Sequence, residues 1–249
     1  MTTDLFDQQL LAARRSRSLR QGPDLFLHER AFEDILERLS LVRRSFRSAL
    51  LIGWNEAGWA DRLRGRADLV HIVAPDALSQ LEPGTYDLAI AAGDLDTVDD
   101  LPRAFLTVRF ALREDSLFVG AVSGGDTLPR LRFAMRAADD AMGAASPHVH
   151  PRIEPAGLTS LLTDAGFEMP VVDVDRVQVS YERLWDLVRD LRRMGATNVL
   201  SSRSKRPLSR AAAAIAAEQF TAGSEDGRTT ETFEILHFAG WTPAAPPNG

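Results

Sequence analysis

The chain has 249 residues, with 29 Lys plus Arg against 35 Asp plus Glu and a formal net charge of −6. That length holds one α/β domain or two small ones, each with an ordinary core. Cysteine is absent, which excludes disulfides, thiolate metal centres, iron–sulfur clusters and cysteine nucleophiles, and the mild acidity argues against a general nucleic-acid binder.

No apolar run approaches the ~18 residues of a membrane span. The start, Met1 to Phe6, has no basic stretch leading into an apolar one, so no signal peptide is read and a cytoplasmic location is expected. Arg14, Arg15, Arg17 and Arg20 imitate a transit peptide, but Asp4, Asp7 and Asp24 around them favour a solvated helix face. Residues 4–20 read as a helix with Leu5, Phe6, Leu10 and Leu11 on one side. Residues 25–44 repeat the pattern through Phe26, Phe32, Ile35 and Leu39. The period then changes. Ala49–Ile52, Val70–Ala74, Tyr86–Ala91 and Leu117–Val122 are short apolar runs of the kind found in buried parallel strands. Helical patterns at 55–65, 76–82 and 100–113 separate them, which predicts a parallel sheet with helices on both faces. Helices are predicted at 127–143, 154–165, 181–194 and 210–219, and strands at 171–179 and 230–241. The tail, 243–249, reads as loose.

The alternation, with a glycine turn after the first strand, resembles a class I S-adenosylmethionine (SAM)-dependent methyltransferase. Five further segments narrow the resemblance: Asp100-Leu101-Pro102-Arg103-Ala104, Gly124-Gly125-Asp126-Thr127-Leu128, Ser146-Pro147-His148-Val149-His150-Pro151, Leu161 to Phe167, and Asp190 to Asn198. In this order they are similar to the complex I assembly factor family, a relative of the malonyl-carrier-protein methyltransferase of biotin synthesis. The resemblance implies a Rossmann-like domain over 46–242, preceded by a helical segment over 1–45 and carrying a helical insertion near 127–165. It also implies SAM as cofactor, and either methyl transfer or arginine hydroxylation on a respiratory-complex subunit as the activity.

Against the family's Asp-Leu-Gly-Cys-Gly-x-Gly turn, this chain reads Leu51-Ile52-Gly53-Trp54-Asn55-Glu56-Ala57-Gly58. Gly53 matches. Asn55 and Ala57 stand where glycines belong, and Gly58 is a one-residue shift away from a replacement. Asn55 tolerates left-handed backbone angles, while Ala57 adds a methyl at a close approach. The acid expected at the end of the second strand is replaced by Ala74 or Pro75, with Asp76 as a substitute or a helix cap. Only 11 residues separate Ala74 from Tyr86, too few for the family's extra strand and adenine turn. One lost carboxylate costs ~1.5–3 kcal/mol, roughly tenfold to a hundredfold in affinity. The cofactor-binding candidates are therefore Gly53, Asn55, Ala57, Gly58 and Asp76, in a site expected to be degenerate.

Candidate cleft carboxylates are Asp94 and Asp96, after the third strand, and Asp126, which either caps the following helix or holds a guanidinium. His148 and His150 lack a third ligand at any recognised metal spacing, so a loop role is favoured over a metal. Tyr181, at the start of a predicted helix, matches a tyrosine of the family and is expected to reach the cleft. Leu184, Trp185, Leu187, Val188 and Leu191 read as a core stripe. Arg203, Lys205, Arg206 and Arg210 read as a solvated loop or an anchor for an acidic protein. Two functions follow: a pseudoenzyme that binds a protein partner, or an active SAM-dependent or arginine-modifying enzyme.

Overall fold

The computed structural model describes residues 4–53, 58–143 and 145–244. They divide into two compact units. One comprises Leu27–Gly124, Ile153–Asp175 and Ile235–Gly249. The other comprises Met1–Phe26, Gly125–Arg152 and Arg176–Glu234.

The first of these is built on the sheet. Strands β1 (Phe46–Gly53), β2 (Ala67–Val73), β3 (Tyr86–Ala92), β4 (Leu112–Ser123), β5 (Glu168–Tyr181) and β6 (Thr229–Trp241) form one sheet in the order β2-β1-β3-β4-β6-β5. β5 and β6 each have residues in both units. β1 pairs in parallel with β2 and β3, β3 with β4, and β6 runs antiparallel to β4. Every residue of β3 is buried, as expected of a central parallel strand covered on both faces. The acid in that run, Asp87, is explained by its bonds: its carboxylate accepts the backbone N–H of Arg47 (2.8 Å) and Ser48 (3.0 Å) and so fixes the start of β1.

The two-residue alternation of the strands separates two apolar faces. On one, Leu50, Phe118 and Phe238 pack with Phe105 of α4 (Leu101–Ala111) and Leu158 and Leu162 of α6 (Pro155–Asp164). The rings of Phe105, Phe118 and Phe238 lie 4.9–5.5 Å apart. Burying each contributes about 1.5–3 kcal/mol. Gly120 belongs to this face. A Cβ there would stand 2.6 Å from the Ala91 carbonyl and 2.6 Å from the Phe238 ring, so the close approach of β4 to β3 needs glycine. On the opposite face lies α2 (Phe26–Leu41), whose Phe32, Ile35 and Leu39 are buried.

Between β2 and β3 the chain forms only a 3-10 helix, Pro75–Gln80, and no strand. β2 is accordingly an edge strand, with Leu69 60% exposed. The predicted helix at 55–65 is reduced, among the described residues, to α3 (Trp59–Arg62).

The second unit is mainly helical: α1 (Gln8–Gln21), α5 (Pro129–Met142), α7 (Leu184–Arg193) and α8 (Arg210–Thr221). α5 packs on α8, and each helix buries small residues, Ala134 and Ala138 on α5 and Ala212 and Ala216 on α8, of the kind that let helix axes approach. α1 starts at Asp7, whose carboxylate accepts the Leu10 N–H at 2.9 Å. α7 buries Leu184, Leu187 and Leu191, but Trp185 is 46% exposed and leaves the predicted core stripe. It falls one residue after Leu184, about 100° around the helix.

Candidate functional site

The switch point of the sheet lies where β1 leads to β2 on one side and β3 leads to β4 on the other. In open α/β sheets, ligands bind outside the carboxyl ends of such strands. Gly53 ends β1. A Cβ on it would meet the Ala92 carbonyl at 3.0 Å and the Trp59 ring at 3.1 Å. Asn55 and Ala57 lie outside the described residues, as does Trp54. Gly58 adopts φ +68° at the N-cap of α3.

Trp59 is fully buried. Its ring stacks on Phe32 of α2 at 4.6 Å and 13°, and its Nε1 donates to Glu29 Oε1 at 2.9 Å. Arg62 reaches the same Glu29 at 2.7 Å and lies over the Phe32 ring. At the end of β3, Gly93 has φ +81°, and a Cβ there would fall 2.2 Å from His28 Cδ2. Glycine is required on both counts, because a side chain would be strained at that angle and would occupy the imidazole's place. Three residues of α2, His28, Glu29 and Phe32, therefore pack at the strand ends, directly or through Trp59. In the sequence α2 reads as an amphipathic helix only, and no local signal marks His28 and Glu29 as partners of the strand ends.

Asp94 follows Gly93 and is 2% exposed. Asp96 accepts the Ser123 N–H at 2.7 Å and its hydroxyl at 3.0 Å. It thereby ties the turn after β3 to the end of β4. Asp76 is exposed within the first turn of the 3-10 helix. It is not the cap: Ala74 holds that position and makes no side-chain cap bond.

Asp126 belongs to the other unit, whereas Asp94 and Asp96 belong to the unit built on the sheet. It does not cap α5. Its exposed carboxylate faces Arg176 at 3.6 Å, and the guanidinium of Arg176 also binds Glu234 at 3.0 Å. Thr127 is likewise no cap, since its hydroxyl donates to the Glu234 carbonyl and accepts the Glu234 N–H. The N-cap position is Leu128, at φ +63°. The free N–H groups of Arg130 (3.1 Å) and Leu131 (2.8 Å) are satisfied by the carboxylate of Glu231 on β6. Burial pushes the Glu231 carboxyl up, against the pull of those N–H groups. Nothing local in the sequence announces a cap from a residue so distant.

His148 Nε2 lies 3.0 Å from Asp139, which also accepts the Ser146 N–H. His150 is buried; its Nε2 accepts the Val199 N–H at 2.9 Å and its ring meets Phe6 edge-on at 5.2 Å. Both histidines thus serve the loop. Among the described residues, no group of three or more His, Cys, Asp or Glu is placed to hold a metal ion. Beside His148 a surface groove of about 850 Å³ runs along Arg132, Phe133, Arg136 and Asp139. Tyr181 is buried in the same unit, and burial followed by the nearby Asp190 raises its phenol well above the ordinary value.

The mouse mitochondrial arginine-hydroxylase NDUFAF5 (Mus musculus) is 31% identical to this chain over 267 residues, covering 96% of this chain and 77% of its own length. The human protein (Homo sapiens) is 30% identical over 269 residues, with the same coverage. The chain belongs to the NDUFAF5 arginine-hydroxylase family. A malonyl-acyl-carrier-protein O-methyltransferase of Xylella fastidiosa is 34% identical over 154 residues, 61% of this chain and 50% of that enzyme. No family model matches. Among solved structures, 1,6-didemethyltoxoflavin-N1-methyltransferase of Burkholderia thailandensis has a TM-score of 0.50 at 14% identity, covering 94% of this chain and 88% of its own. That likeness establishes a class I methyltransferase fold. No described helix of this family member is long and apolar enough to cross a membrane.

Proposed function

We propose that this NDUFAF5-family protein acts in respiratory complex I assembly by binding a protein partner, with a cofactor site that SAM no longer fits. The observation that carries this reading is the packing of Trp59 against Gly53 and of His28 against Gly93. A SAM-binding turn keeps its glycine backbone bare so that the ligand can approach it; here side chains of α2 and α3 stand there instead. Two further features support it. Ala74, the residue after β2, offers no carboxylate for the ribose, and a 3-10 helix stands where the family has the strand beside the adenine.

Calorimetric titration with SAM and with S-adenosylhomocysteine tests the cofactor half. No heat below roughly millimolar ligand is expected, and micromolar binding overturns it. Pull-down of the complex I subunits of the source organism tests the partner half, and no captured subunit overturns that.

A second reading is an active arginine-modifying enzyme. It is favoured by Asp94, a carboxylate buried at the end of β3 where a guanidinium of a substrate would be held. A mass gain on an arginine peptide of the captured subunit, lost in Asp94→Asn, would select it.

A further inference from the structure

The charge of this chain is unevenly distributed. Residues 1–26 and 183–210 hold twelve Arg and Lys against five Asp and Glu, a net of +7 in a chain whose total is −6. Both segments belong to one compact unit, and they pack together. α1 lies on α7, and Ser18 Oγ donates to the Arg193 carbonyl. The Asp24 N–H donates to the same carbonyl at 3.4 Å.

Three of the five acids are already engaged by arginines. Asp7 pairs with Arg203 at 3.0 Å, Asp24 with Arg193 at 3.2 Å, and Asp186 with Arg183 and Arg189 at 3.1 and 2.9 Å. Asp190 lies beside Tyr181. Apart from Arg15, the remaining basic residues are Arg14, Arg17, Arg20, Arg192, Lys205, Arg206 and Arg210, none with an ion pair among the described residues. All but Arg14 are exposed. Arg14 is half-buried with Nη1 enclosed; burial first, then Arg203, Arg17 and Arg192, disfavour its charge, and Asp7 opposes them. Crowding like charges costs stability, so the crowding needs an external counterpart to be favourable.

We propose that this α1–α7 face docks an acidic protein surface, one presenting several carboxylates. The inference rests on the reading that the protein works through a protein partner, and it names where that partner binds. A nucleic acid is disfavoured because the chain as a whole carries −6, so a long polyanion that reaches past this basic face meets repulsion that a compact acidic protein patch does not. A lipid surface is disfavoured because the exposed side of α1 is Gln8, Gln9, Ala12, Ala13, Ser16 and Arg17. That side has no large apolar group to insert, and on α7 Trp185 is the single large apolar side chain that is exposed.

The test measures fluorescence anisotropy of a labelled poly-glutamate peptide with the full chain. Vesicles of phosphatidylcholine and phosphatidylglycerol, and a single-stranded oligodeoxynucleotide, serve as competitors. Saturable peptide binding at low salt, weakened at about 150 mM NaCl where screening acts beyond ~8 Å, is expected. Arg17→Glu with Arg192→Glu should weaken it about tenfold or more, while Arg64→Glu on the exposed α3–β2 turn should not. Both reversed residues are exposed, and circular dichroism checks that the pair folds. Equal loss with Arg64→Glu, absence of peptide binding, or stronger competition by vesicles or oligonucleotide than by unlabelled peptide overturns the proposal. The assay does not involve the strand ends. SAM binding therefore sinks the proposed function alone, and unaltered peptide binding in the double variant sinks this inference alone.

Discussion

Replacing Trp59 by alanine tests the packing at the strand ends most directly. The indole is wholly buried, stacked on Phe32, and bonded to Glu29. Trp→Ala in a core costs about 3–5 kcal/mol, cavity included. The lost bond to a carboxylate adds about 1–2 kcal/mol, toward the low end because Glu29 keeps Arg62 and is partly solvated. The sum, about 5 kcal/mol, is comparable with the whole stability of a marginal domain. With a urea slope of about 2–3 kcal/mol/M, the midpoint should fall by roughly 2 M. Trp59→Phe keeps a ring on Phe32 but loses the bond and part of the buried ring, so its midpoint should fall by about 1 M or less. Far-UV circular dichroism in urea reads both. A Trp59→Ala shift no larger than that of Trp59→Phe would refute the packing argument. The contact with Gly53 gives a second reading of the same geometry. Gly53→Ala is opposed by the Trp59 ring at 3.1 Å and by the Ala92 carbonyl at 3.0 Å. It should therefore cost about 1 kcal/mol less in the Trp59→Ala background than alone, a coupling that additive effects would contradict.

Three other perturbations are decided by single environments. Glu231→Ala strips the Arg130 and Leu131 N–H groups of their acceptor and should cost about 2–3 kcal/mol by thermal or urea melting, whereas Glu231→Gln keeps an acceptor oxygen and should cost less. Burial holds the His237 imidazole below its ordinary value, outweighing Asp34 at 2.9 Å. The unfolded chain then takes up the proton first, so stability should fall as pH drops below about 6.5. His237→Gln should flatten that slope between about pH 7.5 and 5.5, and an unchanged slope would refute the assignment. Gly120→Ala meets the Ala91 carbonyl and Phe238 at 2.6 Å and should cost about 3 kcal/mol or more. Phe238→Leu should not rescue it, because the carbonyl remains.

Strands β1 to β4 and their parallel pairing were legible because each holds a short apolar run between turn residues, a signal carried by neighbours in sequence; the antiparallel run of β6 against β4 was not. The missing strand was legible for a similar reason: 11 residues cannot hold it at any conformation. The helix caps show the limit. Asp7 and Asp100 cap α1 and α4 from their expected positions, three residues before the N–H they accept. For α5 the same local rule points to Asp126 or Thr127, yet Glu231 does the work from about a hundred residues away. Asp126 and Thr127 are drawn instead to Arg176 and Glu234. Long-range partners leave no periodic trace in one sequence, so the cap and the α2 contacts at the strand ends could not be read there.

The three departures at the strand ends differ in kind, which matters for what a single substitution can restore. A cleft deprived of its ligand either stays wet or is packed, because interiors tolerate few voids. In the proposed reading, Trp59 and His28 are the packing, the bare end of β2 is a lost hydrogen-bond acceptor, and the short 75–85 connection is a lost surface. Trp59→Ala removes only part of the first, leaving His28 against Gly93, so it should open space beside Gly53 without giving SAM its ribose partner. Adding Ala74→Asp should then raise SAM affinity by roughly tenfold to a hundredfold over Trp59→Ala, the worth of one charged hydrogen bond. The missing adenine surface should still hold the double variant short of micromolar binding. If Trp59→Ala alone binds SAM at micromolar concentration, the ring is the whole obstacle, and the site is a gated one rather than a degenerate one.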